Sequence, residues 1–113
     1  MEKRDPYLVA LAGLWLSVPL TALHFWLAWD RLPLRMATHF DDAWRPNGWS
    51  SRGDAVTLAF GMLGFALLVT TPACYLVRAR KPGHSWPVLV IAYFAVGLLA
   101  WGANAIVSHN VPG

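Results

Sequence analysis

Three histidines, His24, His39 and His109, are the side chains of this sequence best suited to hold a metal ion. Neutral imidazole and carboxylate are ligands that Zn and Cu accept, and Asp41 and Asp42 follow His39 closely. No two histidines have the tight His-x-x-x-His spacing that places both on one helix face. The same residues therefore have a structural alternative, in which His24 forms a hydrogen bond across a helix contact and His39 anchors a loop.

A hydrolase would need a nucleophile, a base and an oxyanion pocket. His39 with Asp41 or Asp42 and Ser50 or Ser51 supplies suitable residue types, but no nucleophile elbow or other ordered motif accompanies them. The sequence also contains no Gly-rich phosphate loop and no dinucleotide fingerprint. We therefore predict that the chain is not an enzyme and carries no cofactor.

The composition places these residues in a membrane protein. Of the 113 residues, 57% are hydrophobic and 13% are charged, against about 25% charged residues in an ordinary soluble domain. Three uncharged runs predict transmembrane helices at 7–29, 55–77 and 86–108, each about 35 Å long at about 1.5 Å per residue. The predicted fold is an all-α integral membrane protein, a single three-helix domain over 1–113, with a structured loop at 30–54 between helices 1 and 2.

The distribution of charge predicts the orientation. With three spans, the amino terminus shares a side with the connection that holds Arg78, Arg80 and Lys81. That side carries five Lys and Arg, concentrated beside helix ends, against four in the 30–54 loop, so the positive-inside rule favours a cytoplasmic amino terminus. The loop and the carboxyl terminus then face outward. The small basic patch is typical of membrane-surface anchoring, and we expect no nucleic-acid partner.

Small and polar residues recur at helical spacing in all three runs and predict the contact faces of the helices. They are Gly13, Ser17 and Thr21 in the first run, Gly61 and Gly64 in the second, and Gly97 and Asn104 in the third. None of these positions carries a carboxylate or a lysine, so we interpret them as packing positions rather than a transport path. Small faces on all three helices favour several helix neighbours, hence other membrane subunits or a homo-oligomer.

The 30–54 loop is unusually rich in turn-forming and aromatic residues. Arg45-Pro46-Asn47-Gly48 predicts a tight turn, and Asp41 and Asp42 among the loop arginines predict an ion-pair network. Ser50, Ser51 or Asp54 is expected to cap the second helix.

A motif in this loop resembles the small membrane domain, of unknown function, at the amino end of SdpI-like bacterial immunity proteins. It comprises Leu32, Pro33, Arg35, His39, Phe40, Pro46, Gly48, Trp49, Ser51 and Arg52. The sequence departs from that pattern at Ala37, Asp41 and Trp44, the last standing where a turn glycine is expected. The resemblance implies a bacterial plasma-membrane protein with an outward loop and transfers no catalytic residue.

Two functional hypotheses follow from these observations. The first is a small membrane protein that acts by protein–protein contact, as an SdpI-like immunity or sensory module or as an accessory subunit of a larger membrane complex. The second is an outward-facing Zn or Cu module built on His24, His39 and His109.

Overall fold

The computed structural model describes residues 5–111, and helices dominate it. Three stretches are long and apolar enough to cross a membrane, and we call them the first, second and third spans: Pro6–Arg31, Arg52–Arg80 and Pro82–Asn110. The regular elements are α1 (Pro6–Gly13), α2 (Ser17–Ala28), β1 (Arg35–Phe40), β2 (Pro46–Ser51), α3 (Arg52–Arg80) and α4 (Ser85–Asn110). Short 3-10 turns at Leu14–Leu16, Trp29–Arg31 and Pro82–His84 complete the first and third spans. The prediction of three membrane-length helices is confirmed.

Local sequence explains where the helices begin. The Asp5 carboxylate accepts the Tyr7 backbone N–H at 3.0 Å, and Pro6 occupies the first helical position of α1, where a missing N–H costs nothing. Ser51 caps α3 by accepting the Asp54 N–H at 3.1 Å, as one of the predicted alternatives had it. These caps satisfy backbone donors that the first turn of a helix leaves unpaired.

The all-α prediction needs one correction, because the 30–54 segment contains an antiparallel pair of strands over residues 35–51, which we call the hairpin. Its register pairs Arg35 with Ser51, Met36 with Ser50 and Ala37 with Trp49, and becomes irregular after Ala37. The segment has few β-branched residues, so local propensity does not favour strands there. Contacts with the helix ends supply the stabilisation instead.

Two clusters form the core. One lies around Tyr7, Leu67 and Leu89, towards the start of the first span. The other lies under the hairpin, where Met36 is fully buried among residues of all three spans: Phe25, Ala28, Ala55, Ala59, Ala103, Ile106 and Val107. Burying a methionine side chain stabilises a fold by roughly 1.5–3 kcal/mol. The hairpin is therefore part of the folded unit rather than an appendage.

The contact face of α3 differs from the predicted small-residue stripe. Its buried residues are Ala55, Ala59, Leu63, Ala66, Leu67 and Cys74. A Cβ added at Gly61, Gly64 or Gly97 would meet no heavy atom within 4 Å, so these glycines do not mediate close contacts in this chain. Gly13 does, because an added Cβ would lie 2.6 Å from the Tyr93 hydroxyl. Spacing alone identified candidate faces but not which face would meet a neighbour.

Candidate functional site

The hairpin turn is built by Asp41 and Trp44. The Asp41 carbonyl accepts the Trp44 N–H at 2.9 Å, and its carboxylate accepts the N–H groups of Ala43 and Arg45, both at 2.9 Å. Trp44 has φ 61°, in the left-handed region that favours glycine. This is a three-residue hairpin loop, residues 42–44, whose last residue is left-handed. The predicted turn at 45–48 is therefore wrong: Pro46 and Gly48 belong to β2.

The rings of Phe40, Trp101 and His109 contact the Trp44 side chain. Its ring lies 5.9 Å from Trp101 at an interplanar angle of 80°, and 6.3 Å from Phe40. The His109 ring is parallel to Trp44 at 5.9 Å and lies 5.0 Å from Phe40. These contacts hold a bulky residue in a backbone conformation that costs about 1–2 kcal/mol for a residue other than glycine.

Asn110, in the last turn of α4, attaches β1 to the third span. Its side-chain oxygen accepts the Ala37 N–H at 2.8 Å, and its side-chain nitrogen donates to the Ala37 carbonyl at 2.8 Å and to the Ile106 carbonyl at 2.7 Å. The amide thus pairs with Ala37 as a neighbouring strand would. Because Ala37 is buried, its backbone groups depend on this partner.

The structure gives a physical role to two residues of the loop motif, His39 and Gly48. The imidazole Nδ1 of His39 and the side-chain oxygen of Asn47 lie 2.5 Å apart, which supports the loop-anchoring alternative for His39. A Cβ at Gly48 would lie 3.0 Å from the Cβ of His39, its partner across the hairpin. Gly48 therefore permits the close approach of two strands rather than a positive φ.

Arginines of the hairpin region lie over tryptophans instead of pairing with aspartates. The Arg52 guanidinium lies 4.2 Å from the Trp29 ring centroid and donates to the Trp29 carbonyl at 3.2 Å. Arg35 lies 6.0 Å from the Trp49 centroid. Over residues 5–111, no ion pair involves Asp41 or Asp42, so the predicted network is wrong. The Asp41 carboxylate instead accepts backbone N–H groups of the turn, which are held close to it.

The remaining motif residues divide between the core and the surface. Leu32 is buried in the cluster under the hairpin, and Phe40 is half-buried. Pro33 and Pro46 are exposed, as are Arg35 and Trp49. Ser50, a hydrolase candidate, lies 3.1 Å from the Thr38 hydroxyl, and Ser51 caps α3. Neither serine contacts His39 among the described hydrogen bonds.

A polar bridge joins the first and third spans. Asn104 donates from its side-chain nitrogen to the Thr21 hydroxyl at 3.0 Å and to the Ala100 carbonyl at 2.7 Å. Its oxygen is therefore free to accept, and it lies 2.7 Å from the Nδ1 of His24. Because an amide oxygen only accepts, the Nδ1 nitrogen of His24 carries a hydrogen and donates to it. The expectation that His24 bonds across helices is confirmed. Ser17, one helical turn before Thr21, donates its hydroxyl to the Leu14 carbonyl at 2.7 Å within the first span.

The three candidate metal ligands have separate partners: His24 contacts Asn104, His39 contacts Asn47, and His109 contacts Trp44. In the part of the chain that the structure describes, no group of three or more His, Cys, Asp or Glu side chains is close enough to hold a metal ion. The geometry gives the metal-module hypothesis no support.

The opposite end of the bundle is joined by Arg78. Its guanidinium pairs with the Asp5 carboxylate at 3.1 Å, donates to the Ser85 hydroxyl at 3.2 Å, and lies 5.1 Å from the Tyr7 ring centroid. The hydrogen bonds from Arg78 and from the Tyr7 backbone hold the pKa of the Asp5 carboxyl below its ordinary value of 3.8. Tyr7 also meets Trp86 edge to face at 5.4 Å. One cation thus connects all three spans.

Sequence reasoning missed Asn110, Arg78 and the conformation of Trp44. A polar amide in the last turn of α4 was a weak signal for Asn110, and nothing local pointed to its partner Ala37. Comparison with known proteins adds no further assignment, since no protein-family model, no curated protein and no solved structure matches the chain.

Proposed function

We propose that this chain acts by protein–protein contact in a bacterial plasma membrane, with its amino terminus cytoplasmic and its hairpin and carboxyl terminus outward. It serves as an SdpI-like immunity or sensory module or as an accessory subunit of a larger membrane complex. The motif within residues 32–52 supports the first role. Within residues 5–111 the candidate metal ligands do not gather into one site, and contact is the role that the geometry supports best.

The observation that carries the proposal is the exposed face of a firmly attached hairpin. Trp49 is 50% exposed and Arg35 lies beside it, while Met36 and the Asn110 amide fix the strand beneath them. Trp and Arg are enriched among the residues that dominate binding energy at interfaces. A surface that is already ordered loses little conformational entropy when a partner binds.

The outer faces of the helices are compatible with further subunits as well as with lipid. Phe65 and Phe94 are 71% and 76% exposed, and Gly61 and Gly97 have open space beside them. Small residues next to large exposed ones let a second helix approach closely. These faces therefore support a partner or a homo-oligomer within the membrane.

Cysteine labelling tests the orientation. Cys74, the single cysteine, is buried, so Cys74→Ser gives a background in which Asp42→Cys and His84→Cys can be introduced one at a time. We expect a membrane-impermeant maleimide to label Asp42→Cys in intact cells and His84→Cys only after permeabilisation. The reverse pattern would contradict the proposed orientation.

Gentle extraction followed by native mass spectrometry tests the contact function. Co-purification with a stoichiometric set of larger membrane subunits would identify an accessory subunit, whereas recovery alone or as a self-oligomer would favour the immunity or sensory role. Trp49→Ala is expected to lose an outward partner, and Trp26→Ala, which changes a tryptophan 76% exposed on the first span, serves as the matched control. Substrate turnover or ion movement by the purified chain alone would refute the proposal.

A further inference from the structure

A cavity of about 190 Å³ lies between the hairpin turn and the outer surfaces of α3 and α4. Aromatic walls come from Phe40, Trp44 and Trp101, and the floor includes Gly102. A Cβ added at Gly102 would meet no heavy atom within 4 Å, so space is open above this glycine.

We propose that this cavity binds a quaternary ammonium group. The Trp44 and Trp101 rings stand at 80° to each other, and Phe40 adds a third aromatic surface. Cations are attracted to the faces of such rings, and grouped aromatic side chains are the usual receptors for methylated ammonium ions. The cavity holds roughly six water volumes of about 30 Å³ each, which accommodates the nitrogen and four methyl groups of tetramethylammonium.

The surrounding charge favours a cation over a neutral guest. The lining contains no Lys or Arg side chain. The turn that presents Trp44 carries the carboxylates of Asp41, which accepts two backbone N–H groups, and of Asp42, against the single charge of Arg45; none of these three residues lines the cavity. Ile106, also in the lining, lies near the carboxyl end of α4, where the helix dipole is negative.

The backbone of Trp44 is a second indication of a ligand site. Glycine would adopt φ 61° without strain, yet this position carries the largest side chain, and that side chain is 56% exposed. Residues held in rarely populated conformations cluster at ligand-binding positions. This backbone conformation places the Trp44 side chain in the lining of the cavity.

Binding is tested with the full chain in dodecyl maltoside, a detergent without an ammonium group. Calorimetric titration compares choline with its neutral isostere, in which carbon replaces the ammonium nitrogen. We expect saturable choline binding and about tenfold weaker binding of the isostere, the difference that a cation interacting with two or three rings provides. Equal affinities, or no saturable choline binding, would overturn the proposal without recourse to any variant.

Two leucine substitutions locate the site. Gly102→Leu fills the cavity and is expected to abolish choline binding, whereas Gly61→Leu, at an equally open glycine on α3 outside the lining, retains it. Retained binding in a folded Gly102→Leu protein would overturn the assignment. Nanodiscs with and without phosphatidylcholine distinguish a lipid headgroup from a soluble molecule as the source of the ammonium group. Competition by that lipid identifies a headgroup ligand, and undiminished choline binding identifies a soluble one.

Discussion

Replacing Asn110 by alanine should release the hairpin from the helix ends while leaving the three spans assembled. The Asn110 amide is the partner of both backbone polar groups of Ala37, through two hydrogen bonds of 2.8 Å. Ala37 is only 5% exposed, so water cannot readily replace the lost partner. A substitution of one side chain thus leaves a buried donor and a buried acceptor unsatisfied.

The expected cost follows from those two groups. Each buried polar group left without a partner costs about 1–3 kcal/mol, so the loss of both partners should weaken the attachment of the hairpin by about 2–6 kcal/mol. Because about 1.4 kcal/mol corresponds to a factor of ten, amides that exchange by local opening of the hairpin should exchange at least about 30-fold faster. Amides in the middle of α3 and α4 should keep their protection.

Hydrogen exchange measured by mass spectrometry on the purified chain resolves this difference. Ser108→Ala is the matched control, because Ser108 is exposed in the same turn and its hydroxyl donates only to the Asn104 carbonyl of its own helix. Its effect should stay within about 0.5 kcal/mol. Equal exchange of residues 35–51 in the Asn110→Ala and Ser108→Ala proteins would refute the proposed attachment.

Two further substitutions test local geometry and charge. Gly48→Ala should destabilise the chain by about 1–3 kcal/mol, because the new Cβ crowds His39, whereas Gly53→Ala, with open space around it, should be neutral or stabilising. Equal thermal unfolding temperatures for the Gly48→Ala and Gly53→Ala proteins would contradict the explanation by crowding of His39. Asp5→Asn keeps a capping side chain but loses the charge that pairs with Arg78. Because the pKa of Asp5 is lowered in the folded state, the wild type should have a larger free energy of unfolding than the Asp5→Asn protein. This difference should be full above pH 3.8 and disappear as the pH falls through the folded-state pKa. A stability difference that persists at still lower pH would contradict the assigned ion pair.

The spans were predictable because lipid imposes a simple requirement on sequence. A helix that crosses hydrocarbon needs a long uncharged run, and the chain has three. The cross-helix bond of His24 was also predictable, since a polar side chain at that depth must find a partner and Asn104 lies at comparable depth on another span. Ser51 was predictable as a cap because the first turn of a helix leaves backbone N–H groups unpaired, and a serine side chain can accept one of them.

The hairpin was not predictable from local preferences. Asn, Gly, Ser and Pro dominate β2, and these residues favour turns. What stabilises the strands is distant in sequence: the Asn110 amide and the burial of Met36 between the spans. The turn position was missed for a related reason. The Pro46-Asn47-Gly48 sequence is typical of a turn, whereas the left-handed residue of the actual turn is Trp44, a type that rarely adopts this conformation.

The link between Ala37 and Asn110 also orders the events of biosynthesis. The hairpin is translated between the first and second spans, but its anchor is the last turn of the third, 73 positions later. A nascent chain that has not yet added the third span therefore lacks the amide that pairs with Ala37, and its hairpin segment is less firmly attached. The hairpin therefore reaches its full attachment only after the third span has been made and packed, so its folding depends on the most distant part of the described chain.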